Sequence, residues 1–103
     1  MSLKHIGLMA NIEKYFRDSG YVVKRLSKPY KTTVEKKEKT DRNIKRYKAR
    51  IELIPVGGNS IIIRVITKNS INRHIELEDN NGHITIEALS LIKGIVELNS
   101  RTK

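Results

Sequence analysis

Three basic side chains, Arg46, Lys48 and Arg50, alternate with the less polar residues Tyr47 and Ala49. Alternation with a period of two is typical of a β-strand that has one solvent-exposed face. Side chains on one face of a strand stand about 6.5 Å apart, because each residue advances the chain by about 3.3 Å. A cationic row of this kind suits the phosphates of a nucleic acid, which bind proteins mainly through Lys and Arg.

The positive charge of the whole chain is concentrated around this row. Twelve of the 21 Lys and Arg residues lie between Lys24 and Arg50, with only three of the 11 Asp and Glu residues. The segment therefore carries +9 of the formal net charge of +10. Charge localised in this way creates a directional field and favours an anionic partner. The alternative is a solvated, partly disordered charged loop with no role in binding.

The candidate nucleic-acid-binding residues are the cations of this segment and one tyrosine. They are Lys24, Arg25, Lys28, Tyr30, Lys31, Arg42, Lys45, Arg46, Lys48 and Arg50. Lys24 and Arg25 belong to opposite faces of a predicted strand, and either of them would extend the row across the sheet. Tyr30, in a predicted loop, is a candidate for stacking on bases. Tyr47 shares its strand face with apolar neighbours, so we expect it in the core.

Helices are predicted at both ends of the chain. Leu8, Ile12 and Phe16 form one apolar stripe on a helix over residues 3–18. Glu13 is assigned to the solvent side of this helix. The second helix is predicted from about 85 to 98, with a threonine suited to the N-cap position. Its two adjoining apolar rows lead us to expect that it is the better buried helix.

Strands are expected between the two helices. Period-two patterns and apolar runs predict strands over 21–26, 44–56, 60–67 and 74–78. Residues 31–43 contain one apolar residue, Val34, and are expected to be either the tip of a long basic β-hairpin or a mobile loop.

The chain is therefore expected to be one small α+β domain over residues 1–103. An N-terminal helix, a three- to four-stranded antiparallel sheet with a long basic β-hairpin and a C-terminal helix follow in order, with both helices on one sheet face. Residues from about 28 to 43 form the projecting arm or mobile loop, and residues 99–103 a polar tail.

Nothing in the sequence indicates a metal, a cofactor or catalysis. The chain has no cysteine, and His5, His74 and His83 lack the spacing of metal ligands. No phosphate-binding glycine motif or catalytic triad pattern occurs. We therefore expect a protein without enzymatic activity, metal or cofactor. No apolar run approaches the roughly 18 residues that span a membrane, so a cytoplasmic protein is expected.

Two families share part of this pattern. The order of the elements resembles that of double-stranded-RNA-binding domains, but Ile84-Thr85-Ile86-Glu87 stands where that family has a lysine-rich cluster, so the chain is not assigned to it. Glu52 followed by the run Ile61–Ile66 resembles the core of restriction-endonuclease-like nucleases. That resemblance implies an acidic-x-Lys triplet, and this chain has Arg64-Val65-Ile66 instead. The resemblance therefore implies a catalytically inactive relative that kept its binding face.

The function expected from the sequence is nucleic-acid binding with low sequence specificity, through a basic sheet face and arm that contact phosphates. Single-stranded, RNA or structured ligands are favoured over a duplex operator, because neither predicted helix carries the cations of a recognition helix. The alternative is a small protein-interaction or regulatory module, such as an inhibitor, that docks on an acidic partner with the same cations. An exposed sheet edge would also permit a homodimer by strand addition.

Overall fold

The computed structural model of the protein describes residues 3–26, 30–39, 41–42, 44–67, 72–78 and 82–99. Two helices enclose five consecutive strands in the chain. The elements are α1 (Leu3–Asp18), β1 (Val22–Arg25), β2 (Lys31–Lys39), β3 (Ile44–Gly57), β4 (Ser60–Thr67), β5 (Asn72–Glu78) and α2 (Ile86–Asn99).

The strands form one antiparallel sheet in which every strand pairs with its neighbours in sequence, in the order β1-β2-β3-β4-β5. The predicted α+β class, the terminal helices and the long basic hairpin of β2 and β3 are confirmed. The predicted count of three to four strands is wrong, because the sheet has five.

Strand β2 accounts for the difference in strand number. Its inward positions hold Val34 and Thr32, both fully buried, and the Thr32 hydroxyl donates a hydrogen bond to the Lys24 carbonyl at 3.0 Å. Further along, the Lys36 ammonium donates to the Ser19 carbonyl at 3.2 Å and lies 5.6 Å from the centroid of the Tyr21 ring. A strand paired on both sides can thus be held by ladder hydrogen bonds, a threonine and a lysine stem, which leave little apolar pattern in the sequence.

The C-terminus of α1 fixes the start of the sheet. Gly20 has a φ of 90°, in the left-handed region that favours glycine. The Gly20 and Tyr21 N–H groups donate to the carbonyls of Arg17 and Phe16 at 3.0 and 2.9 Å, which is the Schellman pattern. The rings of Phe16 and Tyr21 meet edge to face at 5.0 Å. The chain therefore leaves α1 in one direction and enters β1 directly.

The hydrophobic core lies between the helices and one face of the sheet, here called the helix face. Helix α1 contacts β1 and β2, α2 contacts β3 and β4, and the two helices touch each other. Both helices therefore lie on one sheet face, as predicted. The buried apolar side chains of β3 and β4, which all belong to this face, are Tyr47, Ala49, Ile51, Leu53, Ile61, Ile63 and Val65.

The burial of the helices differs from the prediction at two points. Glu13 is only 2% exposed, because the helical spacing that brings Phe16 onto the core also places Glu13 beside the sheet. Helix α2 begins as predicted, with the Thr85 hydroxyl accepting a hydrogen bond from the Ala88 N–H at 3.1 Å. Leu91, however, is 54% exposed. One of the two apolar rows of α2 is thus partly uncovered, and α1 is the better buried helix.

Candidate nucleic-acid interface

The sheet face opposite the helices, here called the open face, is not covered by either helix of the described chain. Alternation along each strand and pairing between strands assign its side chains. One row across the sheet contains Lys24, Thr33, Arg50 and Ile66, from β1, β2, β3 and β4 in that order. Adjacent strands lie about 4.8 Å apart, so Lys24 and Arg50 are about 10 Å apart at their backbones.

The row predicted along β3 belongs to the open face. Arg46, Lys48 and Arg50 are all exposed, while Tyr47 and Ala49 between them are buried on the other side. The prediction that Tyr47 lies in the core is therefore confirmed. The Tyr47 hydroxyl donates a hydrogen bond to Glu38 at 3.2 Å. Arg46 has a loose contact with Glu35 of β2, at 3.9 Å between Nε and Oε2.

Arg25 lies on the helix face, whereas its neighbour Lys24 lies on the open face. The Arg25 guanidinium donates to both oxygens of buried Glu13, at 2.6 Å from Nη2 and 3.2 Å from Nε. Fork-like pairing of this kind is among the stronger charged hydrogen bonds in proteins. Of the two residues that could extend the cationic row, the structure therefore brings Lys24 to it and assigns Arg25 to the α1–β1 contact.

The other candidate residues lie at different places in the fold. Tyr30 is half-buried, contacts the hydrophobic core and has a φ of 66°, and its carbonyl accepts a hydrogen bond from the Leu53 N–H at 2.9 Å. Its ring is thus partly covered by contacts with the core. Lys45 pairs with Glu38 across β2 and β3 on the helix side. Arg42 is exposed near the turn between these strands, and Lys28 lies outside the described residues.

The open face also contains a buried carboxylate, Glu52, whose structural role is not predicted from the sequence. Glu52 is 2% exposed, and three cations surround it. Arg64 donates to Oε1 from Nη2 at 2.5 Å and from Nε at 3.0 Å. Arg50 Nε and Lys31 Nζ lie 3.0 and 3.7 Å from Oε2. Because Lys31, Glu52 and Arg64 are direct cross-strand partners, the strand register is the signal that would have revealed this group.

The protonation of Glu52 follows from these neighbours. Burial alone raises the pKa of this carboxyl group, because it disfavours the charged form. The hydrogen bond from Arg64 and the positive charges of Arg64, Lys31 and Arg50 outweigh burial and hold the pKa of Glu52 below its ordinary value. Glu52 is therefore ionised at neutral pH. It ties three strands together through their cations.

Charge is distributed unevenly across the open face. Apart from Arg64 on β4, the Lys and Arg side chains of this face in the described chain lie over β1, β2 and β3, whereas β5 presents Glu76 and Glu78, both exposed. Half-buried Ile54 and Ile62, which are cross-strand partners, lie between the two regions. The result is a sheet face with one basic side and one acidic side, which orients an anionic ligand toward β1–β3.

Among the described residues, no group of three or more His, Asp or Glu side chains is placed to hold a metal ion. Glu52, the acidic residue of the nuclease resemblance, contacts cations instead. No helix in the described ranges is long and apolar enough to cross a bilayer. Comparison of the chain with protein-family models, curated proteins and solved structures gives no match.

Proposed function

We propose that the protein binds nucleic acid through the basic side of its open face. The observation that carries the proposal is the convergence of Lys24, Arg46, Lys48 and Arg50 on one sheet surface that is not covered by the helices. Four cations at strand spacing match a ligand with regularly repeated negative charge. Release of counterions from the phosphates drives such binding, with little dependence on base sequence.

The position of the helices favours particular forms of nucleic acid. Readout of the major groove commonly uses an exposed helix, and here both helices pack on the opposite side of the sheet. A sheet surface instead suits a flexible single strand, RNA or a structured junction, as in other sheet-based readers of single strands. Because nucleic acids are found inside the cell, the proposal includes the cytoplasmic location expected from the sequence.

A protein partner with an acidic surface is the second candidate, because it would use the same cations. The edge strands β1 and β5 would also allow a second copy of the chain to add to the sheet. Competition and sedimentation experiments distinguish these candidates from nucleic-acid binding. A polyglutamate peptide would displace an acidic protein, and a homodimer would be seen by sedimentation without any added ligand.

Fluorescence anisotropy with labelled single-stranded DNA, RNA of the same sequence and duplex DNA tests the proposal. With four phosphate contacts, the log–log dependence of affinity on salt should have a slope of about −3 for single strands. Affinity should then fall about 50-fold between about 50 and 200 mM salt. Absence of binding to all three ligands at the lower salt concentration would exclude this function. Displacement of the labelled nucleic acid by polyglutamate as effectively as by unlabelled nucleic acid would favour the protein partner.

A further inference from the structure

A groove on the open face adjoins the cationic row. Its volume is about 480 Å³, which lies within the range of about 300–1,000 Å³ typical of sites for small molecules. The lining residues used below are Leu26, Thr33, Arg46, Lys48, Arg50 and Ile66. They come from β2, β3 and β4 and from the residue that follows β1, so the groove is built on paired strands rather than on a long loop.

The groove has two chemically different walls. Leu26 and Ile66 are half-buried apolar side chains, whereas Arg46, Lys48 and Arg50 are exposed cations. Leu26 follows β1 and Ile66 belongs to β4, with β2 and β3 between them. Thr33, Arg50 and Ile66 are successive partners in one cross-strand row, so Ile66, here called the apolar wall, lies directly beside Arg50.

Glu52 restricts the position of the Arg50 side chain. Its Nε lies 3.0 Å from Oε2 of Glu52, which is buried and also bound by Arg64. A buried carboxylate with a fixed position restricts the rotamers of the arginine that it binds. The guanidinium plane of Arg50 is therefore preorganised at the point where the apolar wall begins, which lowers the entropy lost when a ligand contacts it.

The combination of walls selects a class of ligand. A chain of phosphates alone would use the cations but leave the apolar wall in water. An acidic peptide supplies carboxylates without a flat apolar face beside each charge. A nucleotide has both a planar base and a phosphate, and an unpaired base stacks on arginine planes and apolar side chains. In a duplex the faces of the bases are already stacked and cannot reach this wall.

We propose that the groove takes an unpaired nucleobase, which stacks on the adjoining side chains of Ile66 and Arg50, while Arg46 and Lys48 contact the neighbouring phosphates. The ligand of the open face is then specifically single-stranded nucleic acid. This inference rests on the proposed function, since it uses the same cations. It adds a base-binding site that the phosphate contacts alone do not require.

An oligonucleotide and an abasic chain with the same number of phosphates separate the two claims. Stacking of one base contributes about 1–3 kcal/mol, so the oligonucleotide should bind about 5- to 150-fold more tightly than the abasic chain at the same salt concentration. Equal affinities would overturn the base site and leave phosphate binding intact. No binding of either chain would overturn both proposals.

Two variants in β4 test whether the contribution of the base to affinity depends on Ile66. Ile66→Ala should bring the affinity for the oligonucleotide close to that for the abasic chain, without changing the affinity for the abasic chain. Ile62→Ala is the matched control, because Ile62 is also half-buried on the open face of β4 but does not line the groove. An equal loss in both variants, with both folded by circular dichroism, would overturn the assignment of Ile66.

A measurement on the unaltered protein keeps the test independent of folding. An oligonucleotide carrying 2-aminopurine changes its emission when the base leaves its neighbours and stacks on protein groups. The proposal predicts a change in emission that follows the anisotropy curve. Binding without any change in emission at every labelled position would contradict a base site.

Discussion

The two faces of the sheet use cations in opposite ways. On the helix face, Arg25 and Lys36 each have a structural partner: Arg25 forms two hydrogen bonds with buried Glu13, and Lys36 donates to the carbonyl of Ser19, the residue that follows α1. On the open face, Lys24, Arg46 and Lys48 extend from the strands as exposed side chains. The same residue types thus stabilise the fold on one side and present positive charge on the other.

The comparison shows that charge count along the chain does not identify a binding surface. Lys24 and Arg25 are adjacent in sequence and equal in charge, but strand alternation sends them to opposite faces. The open face is not free of structural cations either, since Lys31, Arg50 and Arg64 surround Glu52. The useful distinction is the sheet face to which a cation belongs and whether its side chain is exposed there.

Variants of the neighbours Arg25 and Lys24 should show the largest difference in the free energy of unfolding. Arg25→Ala leaves the Glu13 carboxylate buried without its partner, so the free energy of unfolding should fall by about 3 kcal/mol, as for other broken buried pairs. Lys24→Ala should change stability by less than about 0.5 kcal/mol, as is usual for an exposed position. It should instead reduce the salt slope of nucleic-acid binding by about 0.7.

Urea unfolding and anisotropy on both variants provide the two readouts. Comparable losses of stability in Arg25→Ala and Lys24→Ala would contradict the division between the faces.

The next effect concerns Glu52, the structural anion of the open face. Glu52→Gln removes the charge that holds three cations together, and we expect the free energy of unfolding to fall by about 2 kcal/mol at neutral pH. This estimate is lower than that for Arg25→Ala, because Lys31, Arg50 and Arg64 are partly exposed and can be hydrated by water. Glu76→Gln is the control, since Glu76 is exposed on the same face.

The pH dependence of this effect has a definite sign. The pKa of Glu52 is lower in the folded protein than its ordinary value of 4.5. The stability that the ionised group contributes is therefore fully present above about pH 5 and is lost as pH falls through the folded pKa. The difference between the unaltered protein and Glu52→Gln should shrink below pH 4.5 in urea unfolding at several pH values. A difference that grew on acidification would contradict the ion cluster.

The smallest effect separates Lys36 from Lys37 of β2. Lys36→Gln loses a charged hydrogen bond to the C-terminus of α1 and the contact with the Tyr21 ring, so stability should fall by about 1 kcal/mol. Lys37, which is exposed on the open face, should tolerate the same change within about 0.5 kcal/mol. Thermal unfolding measures the stability of both variants. Equal melting temperatures would contradict the assignment of Lys36.

The sequence predicts the elements with strong patterns and misses those held by polar contacts. The helices and strands β3 and β4 follow from apolar spacing, and the row Arg46, Lys48 and Arg50 follows from the alternation of β3. Strand β2 has a single apolar residue, so period-two reasoning has too little pattern to predict it. Its stability comes from pairing with β1 and β3, which only the assembled sheet provides.

The errors within the candidate site have a common cause. Glu13 and Arg25 look solvent-exposed in sequence, because their burial depends on a contact between α1 and β1. The sequence indicates Glu52 only through the nuclease resemblance, because the partners that neutralise it lie on strands β2 and β4. Tyr30 was expected to be exposed in a loop, but it folds onto the core. In each case the missing information is the pairing of distant residues rather than local propensity.

The proposed function assigns nucleic-acid binding to the basic side of the open face rather than to net charge. Its most direct test compares two triple alanine variants that each remove three positive charges. One changes Lys24, Arg46 and Lys48, which are exposed and leave the Glu52 cluster intact. The control changes exposed cations outside the open face, Lys14, Arg17 and Arg73.

The measurement is the slope of log affinity against log salt concentration for single-stranded DNA, by anisotropy. The open-face variant should lower the magnitude of the slope by about two units, at about 0.7 per phosphate contact. The control variant should keep the slope of the unaltered protein. Equal slopes for the two triple variants would show that binding depends on net charge alone and would contradict a binding site on the open face.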